Sequence, residues 1–111
     1  MDIQEDTLAP IIIDLGIAKR GQLDESTLRM FGGWIKLLLR SMFGEDVVPI
    51  KVRGTRPEIR TFAGALSGEK NYIQAFQKYG LGDKRTYTNK YKLDRAVEKF
   101  EKTTGLKWPF K

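Results

Sequence analysis

Cysteine and histidine are both absent from this chain of 111 residues. Without cysteine there is no disulfide, no thiolate nucleophile and no zinc–thiolate site, which fits a reducing compartment such as the cytoplasm. Without histidine, the commonest general base and the commonest metal ligand are both missing. We therefore predict a protein that is not an enzyme and that holds neither a metal nor a cofactor.

Long apolar segments are also scarce. Residues 1–6 are acidic, whereas a secretory signal begins with basic residues and continues with an apolar stretch. No segment contains the roughly 18 uncharged apolar residues that a membrane-spanning helix needs. The apolar fraction of 41% is nevertheless ordinary for a folded protein, and 111 residues suffice for one core. The sequence predicts a single domain without a membrane span.

The charge is divided unevenly along the chain. Residues 1–50 carry a net charge of −3 and residues 51–111 carry +9, which gives +6 overall. Positive charge concentrated in one half indicates a polyanionic partner, most often nucleic acid, although a solvated lysine-rich surface produces the same pattern. We predict an acidic, hydrophobic helical segment over 1–45, which contacts other copies of the chain or another partner. A basic strand–helix–helix unit follows over 46–111, within one domain overall.

The hydrophobic periodicity predicts a mainly α, compact four-helix domain with a minimal two-stranded β element. The helices are expected over 10–20, 25–43, 55–80 and 90–104. Asp24 and a Thr55–Glu58 capping box mark two of the starts, and Gly80 and Gly105 mark two of the ends. The alternating pattern at 47–53 predicts a strand, with 106–110 or a second copy of the chain as its mate.

The predicted helix 25–43 has an unusually wide apolar face. Apolar residues cover about 200° of it, whereas an ordinary surface helix has a stripe a little over 100° wide. Such a helix is the centre of the domain, faces a partner, or lies in a membrane interface. The candidate oligomer or partner interface consists of Leu28, Phe31, Trp34, Ile35, Leu38 and Met42.

Two clusters of cations are candidates for binding nucleic acid or another polyanion. The first surrounds the start of the helix at 55, and the second interleaves cations with two tyrosines that could stack on bases or pack on the core. Arg95, Lys99 and Lys102 add a basic flank to the last helix. An acidic protein surface would suit the same cations. The ten candidate residues are Lys51, Arg53, Arg56, Arg60, Lys84, Arg85, Tyr87, Lys90, Tyr91 and Lys92.

Several short motifs of the C-terminal half resemble those of a known group of proteins. They are VRGT at 52–55, FA at 62–63, EKxY at 69–72, YGL at 79–81 and FExxTGxxWPF at 100–110. With them, residues 48–110 resemble small uncharacterised proteins of large tailed bacteriophages. The resemblance implies a viral origin and a role in the virion or in takeover of the host. It implies no catalytic residue. The segment Trp108-Pro109-Phe110 is expected to be a packing anchor for the C-terminus, with a recognition tail as the alternative.

The leading hypothesis is a small viral-type binding protein in the host cytoplasm or the virion. Its basic half would engage nucleic acid or another polyanion, and its helix 25–43 would join it to further copies or to a viral protein. One alternative is a virion structural or assembly component that docks on an acidic protein surface. Another is an inhibitor of a host protein.

Overall fold

The chain is mainly helical, as the periodicity predicts. The computed structural model describes residues 10–45 and 49–110. Within them, three helices accompany two strands, so the predicted class is confirmed with one helix fewer. Positions 47 and 48 of the predicted strand lie outside the described residues. The elements are β1 (Ile11–Asp14), α1 (Glu25–Met42), β2 (Ile50–Arg53), α2 (Arg56–Tyr79) and α3 (Lys84–Thr104).

The prediction of a helix over 10–20 is wrong, because its first part is strand β1. Three consecutive isoleucines begin β1, and their β-branched side chains fit a pleated strand better than a helix. β1 pairs in parallel with β2, with Ile11 opposite Ile50. Ile13 is fully buried in the core. Residues 15–21 form turns after the strand. The small sheet thus joins the two halves of the chain.

The prediction that 106–110 is the mate of β2 is also wrong. These residues form neither a strand nor a helix, and β1 is the partner of β2. Their backbone amides bond to side chains instead of to a neighbouring strand. The amide of Leu106 donates to the hydroxyl of Thr104 at 3.1 Å, and the amide of Trp108 donates to the carboxylate of Glu101 at 2.8 Å. The segment therefore closes over the helices without a strand ladder.

Capping side chains fix where the helices begin. Asp24 accepts from the amide of Thr27 at the start of α1, and Thr55 and Glu58 form the predicted capping box of α2. The predicted start of the last helix at 90 is six residues late, because Asp83 caps α3. The connection between α2 and α3 is consequently reduced to residues 80–83.

An aromatic cluster fills the core. The ring of Phe100 lies 5.3 Å from that of Trp108, 5.9 Å from that of Phe62 and 6.4 Å from that of Phe31. One aromatic each from α1, α2, α3 and the C-terminal segment thus meet at one point. Trp108 is buried, which confirms its predicted role as a packing anchor.

Helices α2 and α3 form an antiparallel hairpin. Near the connection, the hydroxyl of Thr86 donates to the carbonyl of Ala75 at 3.3 Å. Further along, Gly68 lies so close to α3 that an added Cβ would stand 3.2 Å from the Cα of Leu93. At Gly64, one turn earlier, a Cβ would meet nothing within 4 Å. Gly68 therefore lets α3 approach α2 closely, and α2 continues unbroken through both glycines.

Candidate polyanion-binding site

The antiparallel hairpin separates the two predicted clusters of cations. The start of α2, with Arg56, lies beside the end of α3, whereas Lys84 begins α3 beside the end of α2. Residues 84 and 102 of α3 are about 27 Å apart along its axis at 1.5 Å per residue. The clusters consequently cannot form one compact site, and they approach each other only through side chains in the middle of the hairpin.

A basic groove lies between α2 and α3 at that place. We call it the basic groove; its volume is about 420 Å³, and it is lined by Arg60, Thr61, Gly64, Tyr91, Lys92, Arg95, Ala96 and Lys99. The open space beside Gly64 follows from its missing side chain. Cations come from both helices, because Arg60 belongs to α2 whereas Lys92 and Lys99 belong to α3.

The charge of the basic groove is not neutralised by its own walls. Among the described residues that line it, four are cations and none is a carboxylate. Within residues 10–45 and 49–110, no ion pair includes Arg60, Lys92 or Lys99. Arg95 donates to the phenolic oxygen of Tyr91 at 2.8 Å, which holds the tyrosine beside it. The groove therefore presents concentrated positive charge to solvent.

The row of cations along α3 explains this concentration. Lys92, Arg95, Lys99 and Lys102 recur at steps of three and four residues, so they lie along one side of the helix. The sequence indicates Arg95 and Lys99 only as a basic flank, apart from the two clusters. The structure brings this flank together with Arg60, and thereby changes which residues form the candidate site.

Two of the predicted cations on α3 already have partners within the chain. Arg85 donates to the carboxylate of Asp83 at 3.0 Å and lies over the ring of Tyr79, and Lys90 pairs with Asp94 at 2.7 Å. Hydrogen bonds from these cations to their carboxylate partners raise the pKa of both Arg85 and Lys90. Both therefore stay charged, but their nearest anion is already supplied by the protein.

The remaining predicted residues are exposed around the hairpin and the sheet. Lys51 and Arg53 lie on β2, where Arg53 stands opposite Asp14 of β1. Arg56 precedes Arg60 by one turn of α2, and Lys84 is the first residue of α3. Tyr87 is 65% exposed and Tyr91 is 61% exposed, so neither packs on the core, which was one of their two predicted roles.

The predicted interface on α1 is divided by the core. Phe31 and Ile35 are buried within the chain, so they are not available to a partner. Trp34, Leu38 and Met42 are half-buried against the same core. Of the six predicted residues, Leu28 is the exposed one. The wide apolar face of α1 is thus covered largely by its own chain, and oligomerisation stays a prediction.

Two buried carboxylates have partners that the sequence does not predict. Glu58, besides capping α2, pairs with Lys19 at 2.9 Å; the amide of Thr55 first, and then Lys19, lower its pKa. Glu69 accepts from the indole nitrogen of Trp108 at 2.8 Å, and burial raises its pKa. The burial of Glu69 could be predicted from the sequence, because Glu69 falls seven residues after Phe62 on the core side of α2.

A larger cavity of about 840 Å³ also lies along the hairpin, with Tyr91 and Arg95 on its border. Its charges are of both signs: Lys90 is paired with Asp94, and Glu69, Glu98 and Glu101 also line it. The basic groove is smaller but carries charge of one sign. It is therefore the better candidate for a charged ligand.

Comparison of the chain with protein-family models, curated proteins and solved structures finds no match. The resemblance to phage proteins stays a prediction. Over residues 10–45 and 49–110, no group of three or more acidic side chains is arranged to hold a metal ion. In the same residues, no helix combines the length and the apolar character required to span a bilayer.

Proposed function

We propose that the chain is a non-enzymatic binding protein that engages nucleic acid through the basic groove. The observation that supports this is a groove whose described lining holds four cations and no carboxylate. Arginine and lysine contacts to phosphates supply most of the affinity of proteins that bind nucleic acid without base recognition. Cations on two helices allow successive phosphates to be held from both sides.

The test is binding of fluorescent 12-mer oligonucleotides, single-stranded and duplex, followed by anisotropy across a salt titration. If four phosphate contacts form, the logarithm of the binding constant should fall against that of the salt concentration. The expected slope is about −2.8 for a single strand and about −3.6 for a duplex. No detectable binding at low salt would refute the proposal.

A charge reversal in the basic groove should weaken this binding. Arg60→Glu combined with Lys99→Glu removes two contacts, and the salt slope should fall by about half. The matched control is Lys36→Glu with Lys107→Glu, two exposed cations outside the groove lining. Both double variants lower the net charge from +6 to +2. Equal weakening by both would show that overall charge, rather than the groove, drives binding.

A further inference from the structure

The two exposed tyrosines of α3 indicate which form of nucleic acid the basic groove would accept. Tyr87 and Tyr91 are four residues apart, so their rings lie on the same side of the helix, about 6 Å apart along its axis. Tyr87 is 65% exposed and Tyr91 is 61% exposed, so most of each residue is open to solvent. Large aromatic side chains exposed beside a cationic groove are typical of proteins on which unpaired bases stack.

The position of Tyr91 ties the aromatic surface to the cations. Tyr91 lines the basic groove, and its hydroxyl accepts a hydrogen bond from Arg95 at 2.8 Å. Arg95 also lies 5.7 Å from the centre of that ring. A strand whose phosphates contact Lys92 and Lys99 would therefore pass directly beside a ring that is already held in place. In a duplex, the bases are paired and stacked inside, and the rings would have no free base face to contact.

The row of cations on α3, together with Lys84 one turn before Tyr87, sets the length of such a strand. From Lys84, through Lys92 and Lys99, to Lys102 it extends about 27 Å along the axis. At the 3.4 Å per nucleotide of a stacked strand this corresponds to about eight nucleotides, and to fewer if the strand is extended. Sites of this length lie within the range of known single-strand binding folds.

We infer that the chain binds single-stranded nucleic acid, with bases stacked on Tyr87 and Tyr91 while the phosphates follow the cations of α3. This inference rests on the proposed function, since it assumes that the basic groove holds the phosphates. It adds the form of the ligand and the residues that contact its bases.

The test compares a 12-mer of thymidines with a 12-mer of abasic sites, which has the same phosphates but no bases. The wild-type chain should bind the thymidine strand at least tenfold more tightly than the abasic strand and more tightly than a duplex. Tyr87→Leu with Tyr91→Leu should remove this preference, with a loss of about 5- to 150-fold per stacked base. Its loss of affinity for the abasic strand should be smaller than its loss for the thymidine strand, because the abasic strand offers no base to stack.

Two control variants complete the design. Tyr87→Phe with Tyr91→Phe keeps an aromatic ring at both positions and should retain the preference for the thymidine strand. Phe76→Leu removes an exposed aromatic of α2 that does not line the groove, and should have no effect. If the leucine variant binds thymidine as the wild type does, the inference is overturned while the proposed function stands. If the wild type binds neither strand, both fail together.

Discussion

Replacing Trp108 by phenylalanine should destabilise the chain mainly through the buried carboxylate of Glu69. Trp108 is 3% exposed, and its indole nitrogen donates to Glu69, which is 6% exposed, at 2.8 Å. Phenylalanine would still contact the rings of Phe62 and Phe100 but has no hydrogen to donate. The carboxylate would then be buried without this donor.

The expected loss can be worked from these contacts. A buried acceptor that loses its donor costs about 1–3 kcal/mol. The atoms by which tryptophan exceeds phenylalanine add about 1–2 kcal/mol of lost burial and cavity. The free energy of unfolding should therefore fall by about 2–5 kcal/mol. At about 4 °C per kcal/mol for a chain of this size, the midpoint of thermal unfolding should fall by about 8–20 °C.

The assay is urea and thermal unfolding followed by far-ultraviolet circular dichroism. A second change separates the two contributions, because Glu69→Leu removes the orphaned carboxylate. The double variant Trp108→Phe with Glu69→Leu should be more stable than Trp108→Phe alone, since two apolar partners leave no polar group unsatisfied. A loss below about 0.5 kcal/mol in the single variant would refute this reasoning, and so would a double variant less stable than the single one.

The dependence of stability on pH tests the contribution of Glu69 in a second way. Burial raises the pKa of Glu69, so the folded chain binds the proton more tightly than the unfolded chain does. Its contribution therefore favours folding at low pH and is lost as the pH rises through the folded pKa. The deficit of Trp108→Phe should accordingly be smaller at pH 5 than at pH 8. Glu69→Gln should remove this part of the pH dependence.

Three further predictions concern the helices. Gly64→Ala should stabilise α2 by about 1 kcal/mol, because the position is open. Gly68→Ala should gain less or lose stability, because its added methyl group would press against the backbone of α3. Urea unfolding compares the two variants. Thr55→Ala should cost about 1 kcal/mol by removing the capping box, measured in the same way. Below pH 5, the chain should lose stability as protons compete with the amides bonded to Asp24 and Glu58. Hydrogen bonds from those amides lower both pKa values from 3.8 and 4.5, so this stability is present above the ordinary values and lost on acidification.

A specific result would contradict each of these three predictions. A larger gain in stability for Gly68→Ala than for Gly64→Ala would mean that α2 and α3 do not approach as closely as described. An unchanged midpoint for the threonine variant would mean that the cap contributes nothing measurable. Unfolding that is independent of pH between 5 and 2 would contradict the lowered pKa values of the two acids.

Much of this fold was predictable from sequence, because short-range interactions determine where its helices begin. The capping side chain of Asp24 and the capping box of α2 fix helix starts by short-range hydrogen bonds, which spacing reveals directly. The strand β1 escaped prediction because its helix-like spacing of apolar residues competes with three β-branched residues, and its partner lies 39 positions away. Long-range pairing of this kind is decided by the tertiary structure rather than by local preference.

The candidate site was predictable only in part, for a similar reason. The sequence marks clusters of cations, but whether two clusters meet depends on the direction and closeness of the helices. Gly68 sets that closeness, and the short connection at 80–83 sets the direction. Arg60 and Lys99 are 39 positions apart in sequence and line the same groove. The basic groove could be found only once the hairpin was known.

The parallel pairing of β1 with β2 has a consequence for synthesis on the ribosome. β1 is made 39 residues before β2, which corresponds to about 2–8 s at 5–20 residues per second. During that interval its isoleucines lack the strand that later covers one edge, and they are exposed to other nascent chains and to chaperones. The α2–α3 hairpin, whose connection is only four residues long, can close as soon as it emerges. β1 therefore emerges first and waits for a distant partner, whereas the two helices of the hairpin follow each other directly in the chain.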